Sequence, residues 1–387
     1  MVITNDIKYV GVNDHKIDLF EGHYEVPLGM ALNSYVILDD KICVVDSVGG
    51  DFDEEWLANI KEVCGDRKPD YFLVQHLEPD HSKNITSFMN AYPEAVVLAS
   101  AKAFTYMNQF YHNEYADRRI VVKEGDTLAL GKHTLHFITA QMVHWPEVIM
   151  SYDDYDKVLF AADGFGKFGA NDVEDPEGWA CEARRYYFGI VGKYGMQVQK
   201  VLKKAATLDI KIICSLHGPV LTEDLGYYIN LYDIWSSYGV ESPEGIVINY
   251  TSVYGNTKLA VEKLAQMLRD RGCEKVVVND LARSDMWECV EDSFRYGRMV
   301  LATTTYMNDI FPYMKELINS LVERGYTNRT IGLIENGTWA PVAAKVMKNM
   351  FGECKNLTFT DTTVTIKSAL DEASEAQLAA LADELMK

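Results

Sequence analysis

At 387 residues the chain is long for one average domain and fits two. A formal net charge of -20 and a pI near 4.9 exclude a general grip on nucleic-acid phosphates or anionic membrane surfaces. Its 48% hydrophobic content is ordinary for a globular protein with full cores.

The opening Met1-Val2-Ile3-Thr4-Asn5-Asp6 lacks the basic start and apolar core of a signal peptide. No apolar run approaches the roughly 18 residues that a membrane-crossing helix needs. Cys43, Cys64, Cys181, Cys214, Cys273, Cys289 and Cys354 stand singly, with no CxxC spacing. Scattered thiols in odd number read as a reduced, cytoplasmic protein without a rubredoxin-type module of its own.

In chain order, Ser34–Leu38 and Lys41–Val45 flank Asp39-Asp40 and predict a hairpin. A helix is predicted over Asp53–Cys64, where Trp56, Ile60 and Val63 recur at helical spacing after an acidic first turn. Strand-like runs follow at Tyr71–Val74, Ala95–Ala99, Leu135–Thr139, Val158–Ala161 and Ile210–Cys214, giving a mixed α/β or α+β domain. Gly239–Gly245, with Pro243 inside it, reads as a linker, so the domains are expected at residues 1–242 and 243–387. Beyond it, strands at Ile246–Tyr250, Lys275–Val278, Met299–Ala302, Thr330–Ile334 and Val364–Ile366 alternate with helices. In the first of those helices Val261, Leu264, Ala265 and Leu268 share a face, and the pattern ends near Gly272. The last is expected to start at a capping box of Ser374 with Gln377 and to bury Leu378, Leu381, Ala382 and Leu385. Such alternation predicts an open, parallel, doubly wound sheet.

The densest chemistry lies in His76-Leu77-Glu78-Pro79-Asp80-His81, just past the run Tyr71–Val74. Two imidazoles and two carboxylates this close suit two metal ions side by side. Nitrogen and oxygen donors without cysteine suit iron or manganese at least as well as zinc. His144, Asp163 and His217 each follow the end of another strand-like run, where side chains from separate strands converge. Seven donors serve two ions if one carboxylate bridges, and Asp163, alone on its loop, is the candidate by elimination. A solvated turn is the bland alternative for the first segment. The remaining histidines, His15, His23, His112, His133 and His136, read as structural.

The second domain opens with a strand, then Thr251-Ser252-Val253-Tyr254-Gly255-Asn256-Thr257, then a helix. Hydroxyls, glycine and a helix N-terminus make a site for a phosphate monoester. Without a lysine in the loop it is no triphosphate P-loop. Plain helix capping is the competing reading. Thr303-Thr304-Thr305-Tyr306-Met307-Asn308-Asp309 and Glu335-Asn336-Gly337-Thr338-Trp339 follow later strands at the sheet edge that binds ligands. There Tyr306 and Trp339 can pack on a flat ring.

The first segment resembles the HxHxDH signature of the metallo-β-lactamase fold, with Glu78 in place of the second histidine. With His144, Asp163 and His217 after it, the pattern resembles that of the flavodiiron proteins. The resemblance covers nearly the whole chain. It implies an N-terminal metallo-β-lactamase-like αββα sandwich and a C-terminal flavodoxin-like doubly wound sheet. It implies two iron ions, one on His76, Glu78 and His144, the other on Asp80, His81 and His217, with Asp163 between them. It implies FMN on the three loops, through Thr251–Thr257, Thr304, Thr305, Tyr306, Asn308 and Asn336, Gly337, Thr338, Trp339. Thr304 and Met307 depart from the Pro and Asn expected there. Tyr194, His23 and Trp145 are candidates to touch the ligands from outside. The implied activity is reduction of O2 to water, of NO to N2O, or both. The implied electron donor is external, a rubredoxin or a deazaflavin, and the implied assembly is a head-to-tail homodimer or a dimer of dimers. A binuclear zinc hydrolase and a plain flavodoxin-type carrier are the rival readings.

Overall fold

Short alternating segments of the first half pair into two sheets whose inner faces supply one core. The structure, a computed structural model, describes residues 2–387. Contacts divide it into two compact units. One is Met1–Tyr187 with Met196–Asp233, and the other is Phe188–Gly195 with Ile234–Lys387.

In the first unit, β1 (Ile7–Tyr9), β2 (Tyr35–Ile37), β3 (Cys43–Val45), β4 (Tyr71–Leu73), β5 (Val96–Ser100) and β6 (Arg119–Val122) lie side by side in that order. The hairpin predicted around Asp39-Asp40 is β2–β3. A second sheet orders β7 (Thr127–Ala129), β8 (Thr134–Thr139), β9 (Ile149–Asp153), β10 (Val158–Phe160) and β11 (Ile212–Cys214). Ile37, Val45, Leu73 and Leu98 of one sheet form a single buried cluster with Phe137, Ile149, Phe160 and Cys214 of the other. Helix Asp53–Cys64 packs outside the first sheet. Its fully buried Trp56 meets Phe72 and Phe88 at ring distances of 6.0 and 5.7 Å. The unit is the αββα sandwich implied by the ligand pattern.

In the second unit, β12 (Ser242–Tyr250), β13 (Lys275–Asp280), β14 (Tyr296–Tyr306), β15 (Thr330–Asn336) and β16 (Thr358–Ile366) are all parallel, in the order β13-β12-β14-β15-β16. This is the flavodoxin-like doubly wound order, whose switch point lies between β12 and β14. Val261, Leu264, Ala265 and Leu268 of helix Asn256–Asp270 join Leu378, Leu381, Ala382 and Leu385 in its core.

Two local expectations fail. The segment read as a linker is tied down, because Ser242 already begins β12 and Arg329 donates to the carbonyls of Tyr238 and Gly239. The last helix runs Glu372–Leu385 and its cap is Asp371, not Ser374. Asp371 accepts from Ser374 N, and Ser374 Oγ accepts from Asp371 N, so the box sits three residues earlier. Gln377 instead accepts from Thr365 N of β16 at 2.9 Å.

Candidate functional site

Strand polarity explains how distant donors meet in the first unit. β8 and β10 are each antiparallel to β9, and β10 is parallel to β11, so β8, β10 and β11 point the same way. Their C-terminal ends therefore fall on one edge, where His144, Asp163 and His217 follow. From the first sheet, β4 delivers His76 and Glu78. The short helical turn Pro79–Ser82 then aims Asp80 and His81 at the same point.

His76, Glu78, His144 and Asp163 offer donor atoms within 4.8 Å of one another, and so do Asp80, His81 and His217. All seven predicted donors thus meet in two groups. Asp163 Oδ2 lies 3.2 Å from the Nε2 of both His76 and His144. Its Oδ1 lies 3.4 Å from His81 Nε2 and 3.7 Å from His217 Nε2. One carboxylate faces both groups, as a bridge must. Glu78 Oε2 stands 3.2 Å from His76 Nε2 and 3.0 Å from His144 Nε2. Asp80 Oδ2 stands 3.1 Å from His81 Nε2 and 3.3 Å from His217 Nε2.

The Asp80 and Asp163 contacts close no hydrogen bond, but their geometry suits donors converging on an ion. Both oxygens of Asp80 and of Asp163 are buried with no hydrogen-bond partner, a costly state for carboxylates unless a cation fills the centre. His81 Nε2 and His217 Nε2 approach to 2.9 Å, as two lone pairs do when they share an ion. Three carboxylates, four imidazoles and no thiolate form a hard, mixed donor set that suits iron.

The electrostatics agree. Burial opposes ionisation of Asp163, yet the His76, His144 and His81 imidazoles hold its carboxyl well below the usual range. Burial likewise works against Glu78, and hydrogen bonds from His144 and His76 hold it low. Burial disfavours charge on His144, but Asp163 and Glu78 push it up to about 9.

Several residues that sequence reasoning missed hold the candidate ligands. Glu147, with a fully buried side chain, accepts from His76 Nδ1 at 2.8 Å and from Leu77 N at 3.0 Å. Buried Asp46, pushed up to about 6 by burial, accepts from Gln75 N at 2.7 Å beneath His76. Asn33 Nδ2 donates to the Ser215 and Gly218 carbonyls at 2.9 and 2.8 Å, bracketing His217, whose Nδ1 donates to Ala31 O at 2.8 Å. Glu147 had one signal, its place three residues past His144 in the same loop.

Of the outside candidates, Trp145 sets its ring 5.4 Å from His76 and 6.2 Å from His144. His23 packs on Tyr24 at the tip of the hairpin Leu19–Glu25, and Phe20 of that hairpin meets His217 at 5.3 Å. Tyr194 ends the turn Gly192–Tyr194 and belongs to the second unit. His133 is structural, buried between Asp153 and Asp6.

In the second unit the three expected loops lie past β12, β14 and β15. Ser252 Oγ accepts from Gly255 N at 3.1 Å and from Lys258 N at 3.3 Å, shaping the turn into the helix. Gly255 takes φ +92, which favours glycine, and opens on free space. Tyr254 is 93% exposed, Met307 86% and Trp339 79%. Trp339 is therefore not a core residue. The second loop differs from expectation. Thr303–Tyr306 prolong β14, which turns through Met307 and Asn308, both at positive φ, to pair with Asp309–Ile310. Thr304 Oγ1 is buried there without a partner. Asn336 is tied to Ser368, and Thr338 to the Ser368 hydroxyl at 2.8 Å. Bare aromatic faces, an orphan hydroxyl and a helix N-terminus at the switch point fit a flat aromatic ligand with a phosphate tail.

Comparison with known proteins follows the same lines. The family described as ODP family beta lactamase matches residues 30–218. A nitric oxide reductase of Moorella thermoacetica is 30% identical over 369 residues, 92% of this chain and 90% of that protein. A putative diflavin flavoprotein A 2 of Synechocystis is 27% identical over 87% of this chain, which spans only 58% of that relative. Rubredoxin oxygen:oxidoreductase from Desulfovibrio gigas superimposes with a TM-score of 0.91 at 25% identity, covering 100% of this chain and 97% of that one. The flavodiiron protein of Giardia intestinalis gives a TM-score of 0.91 at 26% identity, covering 99% and 95%.

Proposed function

This chain belongs to the flavodiiron protein family, and from that membership we propose that it reduces O2 to water, NO to N2O, or both, at a pair of non-haem irons fed through FMN. The observation that carries the reading is Asp163, whose two oxygens face two separate histidine pairs. His76, Glu78 and His144 would hold one iron, Asp80, His81 and His217 the other, with Asp163 between them. The irons and FMN together supply the electron pairs that cleave or couple the substrate.

The protein's own part is positioning. Glu147 and the Ala31 carbonyl fix the ring orientation of His76 and His217, leaving each Nε2 free to bind. Glu78, in place of a histidine, adds an anionic oxygen donor that favours the ferric state and separates this site from a zinc-hydroxide hydrolase. In the second unit the Thr251–Thr257 loop would take the FMN phosphate, Tyr306 and Trp339 would pack on its ring, and Thr304 and Asn336 would line it. Electrons come from outside the described residues, from a rubredoxin or a reduced deazaflavin. A head-to-tail homodimer, alone or as a dimer of dimers, would bring one protomer's flavin beside the partner's irons. No described helix is long and apolar enough to cross a membrane.

The test is metal and flavin analysis of the purified protein, then anaerobic reduction and rapid mixing with O2 or NO. Near two irons and one FMN per chain, with fast flavin reoxidation by at least one gas, are expected. Zinc without iron, or slow reoxidation by both gases, would refute the reading.

A further inference from the structure

Trp145 joins the ligand cluster to aromatic side chains at the surface of the first unit. Its ring centroid lies 5.4 Å from that of His76 and 6.2 Å from that of His144. It also lies 6.4 Å from Tyr106 and 6.3 Å from Phe110. We infer that Trp145 and Tyr106 form a one-electron path between the ligand cluster and solvent, through which Tyr106 fills in an electron that FMN has not delivered. The inference rests on the reading of the site given above.

The residue types are the first argument. Among aromatic side chains, tryptophan and tyrosine give up single electrons and phenylalanine does not. Electrons pass between rings that lie close together, and all four separations fall in the roughly 4.5–7 Å span of paired aromatic rings. Tyr106 is half-buried, which leaves it open to water. Phe110, 45% exposed and within 16° of parallel to Trp145, covers the relay ring without competing for the electron.

The spacing is built in. Tyr106 and Phe110 stand four apart on helix Ala101–Tyr111 and so share a face. Ser100 caps that helix by accepting from Ala103 N at 3.1 Å, and the same hydroxyl donates to Glu147 O at 2.8 Å. Glu147 follows Trp145 by two residues and also holds His76. One hydroxyl thus fastens the helix of Tyr106 to the loop that carries Trp145. Another oxidisable ring, Tyr186, lies 5.5 Å from His217. It is buried, and the ring beyond it is Phe168 at 5.2 Å, which donates no electron.

The step balances. O2 takes four electrons and four protons to give two waters. When the irons and FMN hold only three electrons, Tyr106 loses the fourth together with its phenolic proton. Trp145 passes the electron inward, and the proton leaves to water. The next electron from FMN, with a proton from water, restores the phenol.

The experiment uses the full-length protein loaded with iron and FMN, grown on ordinary or on ring-deuterated tyrosine, with iron content measured first. The protein is reduced anaerobically by three electrons per chain, mixed with O2 and freeze-quenched for EPR. Wild type should show a radical whose lines narrow with the deuterated tyrosine, a label that leaves any flavin signal unchanged. Trp145→Phe keeps a packed ring and should lose the tyrosine signal. Tyr106→Phe should lose it as well, and a nitroso spin trap followed by peptide mapping should mark Tyr106 in wild type. A role in packing alone predicts the same radical yield in Trp145→Phe as in wild type. That result, a trap adduct on a different tyrosine, or no tyrosine radical in iron-loaded wild type overturns the inference and leaves the two-iron reading standing. A protein that takes up no iron overturns both.

Discussion

His76 Nδ1 lies 2.8 Å from Glu147 Oε1, and both side chains are completely buried. The pair fixes which ring nitrogen of His76 is protonated, and so which one faces the cluster. Truncation by Glu147→Ala leaves a buried N–H without an acceptor, which costs about 1–3 kcal/mol. Metal affinity should fall about 10–100-fold, the usual loss when such a partner is removed. Glu147→Gln keeps an oxygen for both His76 and Leu77 and should lose far less. Competition of each variant with a fluorescent chelator measures this. Equal affinity in E147A and wild type would remove Glu147 from the ligand-holding role.

Asp163 invites a second test, because its two oxygens serve different histidine pairs. Asp163→Asn conserves volume but removes the shared negative charge. Four imidazoles and two carboxylates then face two divalent cations, and the like charges repel across a short gap. The variant should retain at most one tightly held metal per chain while keeping wild-type flavin content. Glu78→His should behave differently. It retains two metals, with a shift from iron towards zinc. Metal analysis after overnight dialysis against a chelator separates the two outcomes.

The site was more legible in the sequence than the strands that carry it. The seven donors stand out because each follows an apolar run and because four of them crowd into six residues. β9 (Ile149–Asp153) escaped notice since all five of its residues are buried, Ser151 and Asp153 included, so no alternation marks it. Those polar groups are satisfied by residues remote in sequence, Ser151 by Gln75 at 2.8 Å and Asp153 by His133 at 3.0 Å. Glu147 is hidden for the same reason. Its partner lies 71 positions away, and only the folded chain brings them together. Asp371 was missed because a capping box with serine at N3 reads, in sequence, as a cap at the serine itself.

His133 provides a pH-dependent prediction away from the proposed metal ligands. Its side chain is fully buried, 3.0 Å from Asp153 and 3.4 Å from Asp6, which Lys132 also contacts. Burial opposes charge on the ring, but Asp153 and then Asp6 outweigh it, so the imidazole titrates above its ordinary value. A raised folded-state pKa contributes stability that is fully present below about 6.5, the unfolded value, and is lost as pH rises through the folded one. His133→Gln should therefore lower stability most near pH 6, by about 1.5–3 kcal/mol, the range for hydrogen bonds to a charged group. The deficit should shrink steadily above neutrality. Melting curves from pH 5.5 to 9 check this, and a deficit that grows with pH would contradict the assignment.

Trp339 separates ligand binding from folding in the second unit. At 79% exposure it contributes little to the core, so Trp339→Ala should change stability by no more than about 0.5 kcal/mol without flavin. If the ring packs on the isoalloxazine, as proposed, the same change should weaken FMN binding by about 0.5–1.5 kcal/mol, roughly two- to tenfold in Kd. Gly255→Ala reverses the pattern. A Cβ at φ +92 is strained whatever the free space around it, so stability should drop by about 1 kcal/mol, and Tm with it, even without flavin. Flavin fluorescence titration and thermal melts of the deflavinated protein give both quantities. If Trp339→Ala destabilises the flavin-free protein but leaves FMN affinity unchanged, the exposed ring serves the fold and not the cofactor.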